Sequence, residues 1–208
     1  IGYSLVANDS ARAVLMERAS NGSGPATRVM ADTMDLWQMA FGAAPGDIVF
    51  RGGGSVNDLF RATVGRDTIP IPLLSTRAFE QHPAVSPNGR WLAYKSDESG
   101  QDEVYVRSYP AMGPPTPISI GGGEAPVWSR HGDELFYLGR TGMMAAAVDA
   151  RGDGLTVTGR TALFSTGRYA STANRDYDVS PDGRRFVMVQ AEPQQAVWRL
   201  NALREVSQ

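Results

Sequence analysis

The sequence contains no cysteine among its 208 residues, so disulfides, thiol nucleophiles and thiolate metal ligands are excluded. Its apolar runs stay short of the roughly 18 residues that a membrane-spanning helix needs. Neither sign of charge dominates, because 20 basic residues face 22 acidic ones. A chain without a basic surplus is poorly suited to bind nucleic acid through its phosphates. We therefore expect no nucleic-acid partner and no direct membrane insertion in this chain.

The residue patterns of common catalytic sites are also missing. The two histidines, His82 and His131, lie too far apart for a helical metal pair, and we assign both to turns or strand edges. No serine lies in a Gly-x-Ser-x-Gly elbow, and no protein-kinase signature is present. The glycine runs 52–54 and 121–123 do not lead into Lys-Ser/Thr or a helix start, so they indicate loops and not phosphate cradles. We predict a chain that is not an enzyme, without catalytic residues, metal ligands or cofactor.

One acidic group needs a separate interpretation. It comprises Asp97, Glu98, Asp102 and Glu103. The group lacks the alternating oxygen-ligand spacing of a calcium loop. We interpret it as a solvated turn between two strands, with a weak divalent-ion site as the alternative.

A repeat of about 43 residues organises the chain. Three segments, 82–89, 125–132 and 176–183, each run from an apolar strand into a Ser-x-x-Gly turn. A second strand follows each turn, which is typical of a β-hairpin. The clearest third strand is Glu103–Tyr109, where apolar residues alternate as in a half-buried strand. Four-stranded units of this length indicate propeller blades and not helical repeats.

The turn glycines mark the period of this repeat. They are Gly46, Gly89, Gly132 and Gly183, at spacings of 43, 43 and 51 residues. The first spacing adds a degenerate copy that begins near Leu36, with residues 47–50 as its second strand. The last spacing requires an eight-residue insertion, which we place around residues 165–175. A candidate strand pair at 5–6 and 13–17 extends the pattern toward the first residue.

The sequence thus predicts an all-β fold, a β-propeller of four-stranded antiparallel blades. About five blades are covered, at residues 1–35, 36–75, 76–119, 120–164 and 165–208, as one domain or as part of a six-bladed or larger ring. Because a four-stranded sheet cannot bury both of its faces alone, blades must pack on one another through large apolar side chains. The predicted core aromatics are Trp91, Tyr94, Trp128, Phe136, Tyr137 and Phe186.

The segments 85–94, 126–137 and 177–186 resemble the TolB-like propeller repeat, whose signature is Pro-x-Trp-Ser-Pro-Asp-Gly before an apolar strand. Residues 103–110 and Leu200-Asn201 further resemble propellers that follow bacterial serine/threonine kinase domains. That resemblance implies a sensing or protein-contact role outside the cytoplasm, with a periplasmic or extracytoplasmic location. The match extends over residues 76–204, weakly over 36–75, and over 1–35 only through the candidate strand pair.

The repeat also predicts a binding region. Gln38, Gln81, Glu124 and Arg175 fall at one phase of the repeat, just before the first strand of each blade. In propellers that position faces the mouth of the central channel, where ligands and peptides commonly bind. The alternative is a solvated rim in which Glu124 and Arg175 pair across adjacent blades.

Two classes of function remain. The first is a non-catalytic module that binds a protein or peptide partner or senses a ligand, on loops held by a rigid scaffold. The second is part of an enzyme, either the gating propeller of a peptidase or a metal-dependent lyase or lactonase. Because the sequence starts at Ile1 within an apolar strand, we expect a longer parent protein. We also expect an incomplete ring whose open blade edges favour self-association.

Overall fold

The computed structural model describes residues 2–5, 14–19, 21–28, 36–53, 57–67, 69–167, 169, 175–190 and 199–205. Within those ranges the chain forms eighteen β-strands and no helix. The strands make five antiparallel sheets, each from strands that are consecutive in the chain. The sheets are the blades of a β-propeller, so the predicted all-β fold is confirmed.

Three blades have four described strands. The second blade contains β4 (Leu36–Phe41), β5 (Asp47–Gly52), β6 (Asp58–Thr63) and β7 (Ile71–Leu74). The third contains β8 (Gln81–Val85), β9 (Trp91–Ser96), β10 (Glu103–Ser108) and β11 (Thr116–Pro117). The fourth contains β12 (Glu124–Trp128), β13 (Glu134–Leu138), β14 (Gly142–Asp149) and β15 (Thr156–Ser165).

The first and last blades have three described strands each. The first contains β1 (Gly2–Leu5), β2 (Val14–Glu17) and β3 (Thr27–Arg28). The fifth contains β16 (Tyr177–Val179), β17 (Arg185–Gln190) and β18 (Arg199–Glu205). The predicted insertion around 165–175 falls between β15 and β16, and most of it lies outside the described residues.

The Ser-x-x-Gly turns have one geometry in the third, fourth and fifth blades. In the third blade the Gly89 amide donates to the Ser86 carbonyl at 2.8 Å. The Asn88 side-chain oxygen accepts from the Ser86 hydroxyl at 2.8 Å and from the Arg90 amide at 3.0 Å. The φ angle of Gly89 is 67°, a left-handed conformation that glycine adopts without a steric cost. Gly132 and Gly183, at φ 75° and 72°, repeat this turn.

The second blade closes its first hairpin differently. Its turn runs from Gly42, whose amide donates to the Asp47 carbonyl at 2.7 Å. The equivalent closing bond of the third blade starts at the Ser86 amide. Gly46 lies four residues after Gly42, whereas Gly89 lies three residues after Ser86. Gly46 therefore lies in the predicted hairpin turn, but at a different position within it. Equivalent positions in these two hairpins, such as Gly42 and Ser86, are therefore 44 residues apart, one more than the 43 residues between the two turn glycines.

The core lies between neighbouring blades. One cluster joins Trp91 of the third blade to Trp128 and Tyr137 of the fourth. The next joins the fourth and fifth blades, where the rings of Phe136 and Phe186 meet edge to face at 5.2 Å. All six predicted core aromatics are buried. Each such side chain contributes about 1.5–3 kcal/mol through the apolar surface it removes from water.

The first strand of each four-stranded blade carries a β-bulge. In β8 the register shifts between Gln81 and Ala84, and in β12 it shifts between Glu124 and Val127. The extra residues, His82 and Ala125, have φ angles of 53° and 52°. A bulge bends a strand and turns its backbone groups out of the regular ladder. Those groups can then bond to a neighbouring blade.

Candidate functional site at the channel mouth

The first strands β4 and β12 both contact β8, and each of the three is the edge strand of its sheet that faces the centre of the propeller. Each begins at the end of the blade where the preceding inter-blade linker arrives. The turns between second and third strands lie at that same end, because successive strands alternate in direction. The linkers 75–80 and 118–123 and the turns 97–102 and 139–141 therefore share one face. We call it the mouth face.

The structure places three of the four predicted site residues at one position. Gln81 and Glu124 are the first residues of β8 and β12, and Arg175 lies two residues before β16. Each comes five residues before the serine of its Ser-x-x-Gly turn. Gln38 is the exception. It lies within β4, four residues before Gly42, because the different turn of the second blade shifts the phase by one residue.

Gln38 instead matches His82, and the two residues are bonded across the blades. The Gln38 Oε1 atom accepts a hydrogen bond from the His82 amide at 2.9 Å. The His82 Nδ1 atom in turn accepts one from the Ala125 amide at 3.2 Å. The Tyr177 hydroxyl of the fifth blade donates to the Ala125 carbonyl at 2.6 Å. A series of hydrogen bonds thus links four successive blades beside the channel.

The prediction that His82 is an ordinary turn or strand-edge residue holds only in part, because His82 lies near the start of the edge strand β8 but is not an ordinary residue there. His82 is 5% exposed and occupies the bulge of β8. The bulge directs its side chain into the seam with the next blade, where it satisfies a buried amide. His131 does lie in an exposed hairpin turn.

A pocket opens on the mouth face between the third and fourth blades. Its volume is about 350 Å³, and its polar lining includes Asp102, Glu124, Arg140, Thr166 and Tyr169. This is the lower part of the range for small-molecule and peptide-residue sites. Both signs of charge reach the pocket, so it can bind a ligand that carries an ammonium and a carboxylate group. Arg140 forms no ion pair with any described residue.

The acidic turn beside the pocket is only partly solvated, which corrects the sequence interpretation. Glu103 is 5% exposed. Its Oε1 atom accepts from the Gly121 and Gly122 amides at 2.7 and 2.9 Å, and its other oxygen accepts from the Ser119 hydroxyl. The Asp102 carboxylate pairs with the Lys95 ammonium at 2.7 Å. The glycine run 121–123 is thus a loop, as predicted, and its amides bind a carboxylate of the chain itself.

Gly123 completes the pocket wall through a close approach. A Cβ atom at this position would lie 2.4 Å from the Ser119 side chain and 3.3 Å from Tyr137. Only glycine allows the linker to lie so close to the buried Ser119. The linker, Ser119 and Glu103 together therefore fix the pocket floor before any ligand arrives.

Glu124 of the fourth blade and Arg175 of the fifth both lie within electrostatic range of Tyr177. Burial is the main cause that raises the pKa of Tyr177. The Arg175 charge lowers this pKa and the Glu124 charge raises it. Both side chains are therefore close enough to the Tyr177 hydroxyl to influence its ionisation. Glu124 lines the pocket, whereas Arg175 is exposed and is not one of the residues that line it.

Sequence reasoning missed Arg140 and Tyr169 as pocket residues. Arg140 lies in the turn between β13 and β14, and the topology of a propeller blade places that turn on the mouth face. This signal was available from the strand order alone. Tyr169 lies in the inserted segment, for which the repeat offers no template. Among the described residues, no group of three or more histidine, aspartate or glutamate side chains could hold a metal ion.

No family model matches the sequence, and no curated protein sequence is significantly similar to it. Solved structures do match. TolB from Acinetobacter baumannii superposes with a TM-score of 0.63 at 13% identity, over 92% of this chain and 46% of that chain. A puromycin-hydrolyzing peptidase of Mycobacterium tuberculosis gives a TM-score of 0.62 at 14% identity, over 91% of this chain and 33% of that chain.

The β-propeller domain of Cps50 from Myceliophteria thermophila gives a TM-score of 0.54 at 9% identity, over 86% of this chain and 59% of that one. These likenesses show the β-propeller fold, which the chain shares with TolB. The chain spans between about a third and two thirds of the length of the proteins it matches. Among the described residues, no helix is long and apolar enough to cross a membrane.

Proposed function

We propose that the chain is a non-catalytic interaction or sensing module that binds a protein or peptide partner at the mouth-face pocket. The observation that carries this proposal is the pocket beside Glu124, whose floor is fixed by the hydrogen bonds of Glu103. A preformed site loses little conformational freedom when a ligand binds. Glu124 and Arg140 offer one charge of each sign, which suits the mixed polarity of a peptide segment.

A binding experiment tests this role directly. Peptides are selected on the purified chain from a random phage-displayed library, and their affinities are measured by calorimetry. The double variant Glu124→Gln/Arg175→Gln should lose the binding, while its melting temperature stays nearly unchanged. Arg140→Gln should also weaken the binding, because it removes a positive charge from the pocket lining.

A matched control uses two exposed arginines in hairpin turns on the opposite face. Arg130→Gln/Arg184→Gln removes charge without touching the mouth face, so it should leave peptide affinity unchanged. If peptides bind the Glu124/Arg175 double variant as tightly as the unaltered chain, these two residues do not take part in binding and belong only to a solvated rim.

The parent protein that we propose is a larger bacterial protein, such as a receptor-type kinase with its propeller outside the cytoplasm. The support is the resemblance of residues 103–110 and 200–201 to propellers that follow kinase domains. Autophosphorylation of the purified parent protein with ATP would support this assignment. A parent with a hydrolase domain, or stoichiometric metal in the purified chain by elemental analysis, would favour the enzymatic alternative.

A further inference from the structure

Arg51, at the mouth end of β5, is a buried cation that no described carboxylate pairs with. The residue is 7% exposed, and it makes no hydrogen bond or ion pair with a described residue. Its Nε atom is shut off from solvent and has no acceptor. Burial lowers the pKa of the guanidinium, and no neighbouring carboxylate opposes that effect. A buried charge is normally paired, so this guanidinium is suited to bind an anion.

The Trp37 ring is the group that Arg51 contacts. Its centroid lies 5.3 Å from the Arg51 Cζ atom. Trp37 and Gln38 both lie opposite Arg51, because the β4 bulge falls between Leu36 and Met39. Trp37 is 55% exposed. Among the Arg51 nitrogens, Nε is buried without a partner, and the two terminal nitrogens are not. Because these two form no hydrogen bond with a described residue either, they must reach solvent, beside the Trp37 ring.

The third blade shows the same position with its charge satisfied. Lys95 is the counterpart of Arg51, since each lies one residue before the end of the second strand. The Lys95 ammonium pairs with Asp102, the residue that precedes β10, at 2.7 Å. The corresponding residue before β6 is Asn57, which is neutral. The second blade has therefore kept the cation and lacks the internal carboxylate.

We propose that Arg51 and Trp37 form an anion-binding subsite that takes a carboxylate borne on an apolar or aromatic group. The planar guanidinium can donate two parallel hydrogen bonds to a carboxylate. The exposed indole beside it can pack against the apolar part of the same ligand. Val49, on the same face of β5 as Arg51, packs against Leu92 and Tyr94 of the third blade. The subsite therefore lies on the side of the second blade that faces the third, and it does not depend on the pocket between the third and fourth blades.

Benzoate is a suitable probe, with benzyl alcohol as the uncharged control. In ¹H–¹⁵N spectra of the whole chain, benzoate should shift the Arg51 Nε–H and Trp37 indole resonances in a saturable manner, and benzyl alcohol should not. Arg51→Met should weaken benzoate binding at least tenfold, whereas Lys95→Met should not affect it. Inorganic phosphate tests the source of the anion, because a phosphate that binds more tightly than benzoate would overturn the assignment to a carboxylate ligand.

Asn57→Asp gives a second test that does not remove the arginine. By analogy with Lys95 and Asp102, the new carboxylate should pair with Arg51, raise the melting temperature and abolish the benzoate response. Benzoate binding that is unchanged in Asn57→Asp, or equal in Arg51→Met and the unaltered chain, would overturn the proposal. A chain whose spectrum benzoate does not change would overturn it as well.

Discussion

The Nδ1 atom of His82 accepts a hydrogen bond from the Ala125 amide, 3.2 Å away in the next blade. Both residues occupy the bulge of a first strand, and both have positive φ angles. A bulge leaves its extra amide outside the ladder of its own sheet. In this propeller the side chain of the preceding bulge supplies the missing acceptor, so the bulges connect the blades.

His82→Ala should therefore destabilise the chain by about 1–3 kcal/mol, because it leaves a buried amide without a partner. His131→Ala, in an exposed turn, should change the free energy of unfolding by less than about 0.5 kcal/mol. Urea melts measure both. His82→Gln should recover part of the loss, since the Gln38 side chain performs the same role one blade earlier. Equal effects of the two alanine variants would contradict this role.

Two buried tryptophans should differ in their response to phenylalanine. The Trp128 indole donates to the Ala84 carbonyl at 3.0 Å, whereas the Trp91 indole nitrogen has no partner among the described residues. Trp128→Phe should therefore cost about 1–2 kcal/mol more than Trp91→Phe. Trp91→Ala should cost about 3–5 kcal/mol through the cavity that it leaves. Chemical denaturation of the four proteins makes the comparison, and equal costs of the two phenylalanine variants would refute it.

Glu80 should make stability depend on pH. It is fully buried between the second and third blades, and its Oε2 atom has no partner in the described part of the chain. Burial, with a smaller effect of the Asp58 charge, raises the pKa of Glu80 to about 7. Because its pKa is raised, the folded Glu80 carboxyl keeps its proton at pH values where the unfolded chain has already released it. The stability of the fold therefore falls as pH rises from about 4.5 to about 7.

Glu80→Gln removes this titration. The difference in unfolding free energy between the variant and the unaltered chain should change with pH. Between about pH 4 and pH 8 it should shift in favour of the variant by roughly 2–3 kcal/mol. Melts across this range give the difference. The Thr76 hydroxyl donates to Glu80 Oε1 at 2.5 Å, and glutamine keeps that acceptor. A difference between the two proteins that does not vary with pH would rule out Glu80 as the titrating group.

Local turn chemistry explains how much of the fold the sequence predicts. The Ser-x-x-Gly turns set the blade period because Ser86, Asn88 and Gly89 specify the turn by themselves. The predicted phase of Gln38 differs by one residue from its place in the structure, because the second blade closes its hairpin with another turn. The burial of His82 and Glu103 could not be read from their own segments. It depends on a bulge in one case and on a neighbouring linker in the other.

Gly123→Ala should destabilise the pocket wall by about 1–3 kcal/mol, as overpacking does in a tight site. The added methyl group would collide with Ser119, whose hydroxyl bonds to Glu103. Gly154→Ala is the matched control, since a Cβ atom there meets nothing within 4 Å. Thermal melts compare the two variants. A Gly123→Ala protein as stable as the control would mean that the linker can move away from Ser119 without cost.

Glu103→Gln should loosen the pocket floor without unfolding the blade. A neutral amide keeps one acceptor oxygen, but its bonds to the Gly121 and Gly122 amides weaken from about 1.5–3 kcal/mol each to about 0.5–1.5 kcal/mol each. Their hydrogen exchange should accelerate roughly 10- to 100-fold, because 1.4 kcal/mol corresponds to a tenfold change.

Asp97→Asn provides the reciprocal control. The Asp97 carboxylate accepts from the Phe79 amide at 2.8 Å in the preceding linker, so this variant should accelerate exchange at Phe79 and leave Gly121 and Gly122 unchanged. Selective acceleration in each variant would show that the third blade orders its two flanking linkers separately, the preceding one through Asp97 and the following one through Glu103. Acceleration of both linkers in both variants would instead indicate that the blades open together, and Glu103 would have no separate role in the pocket.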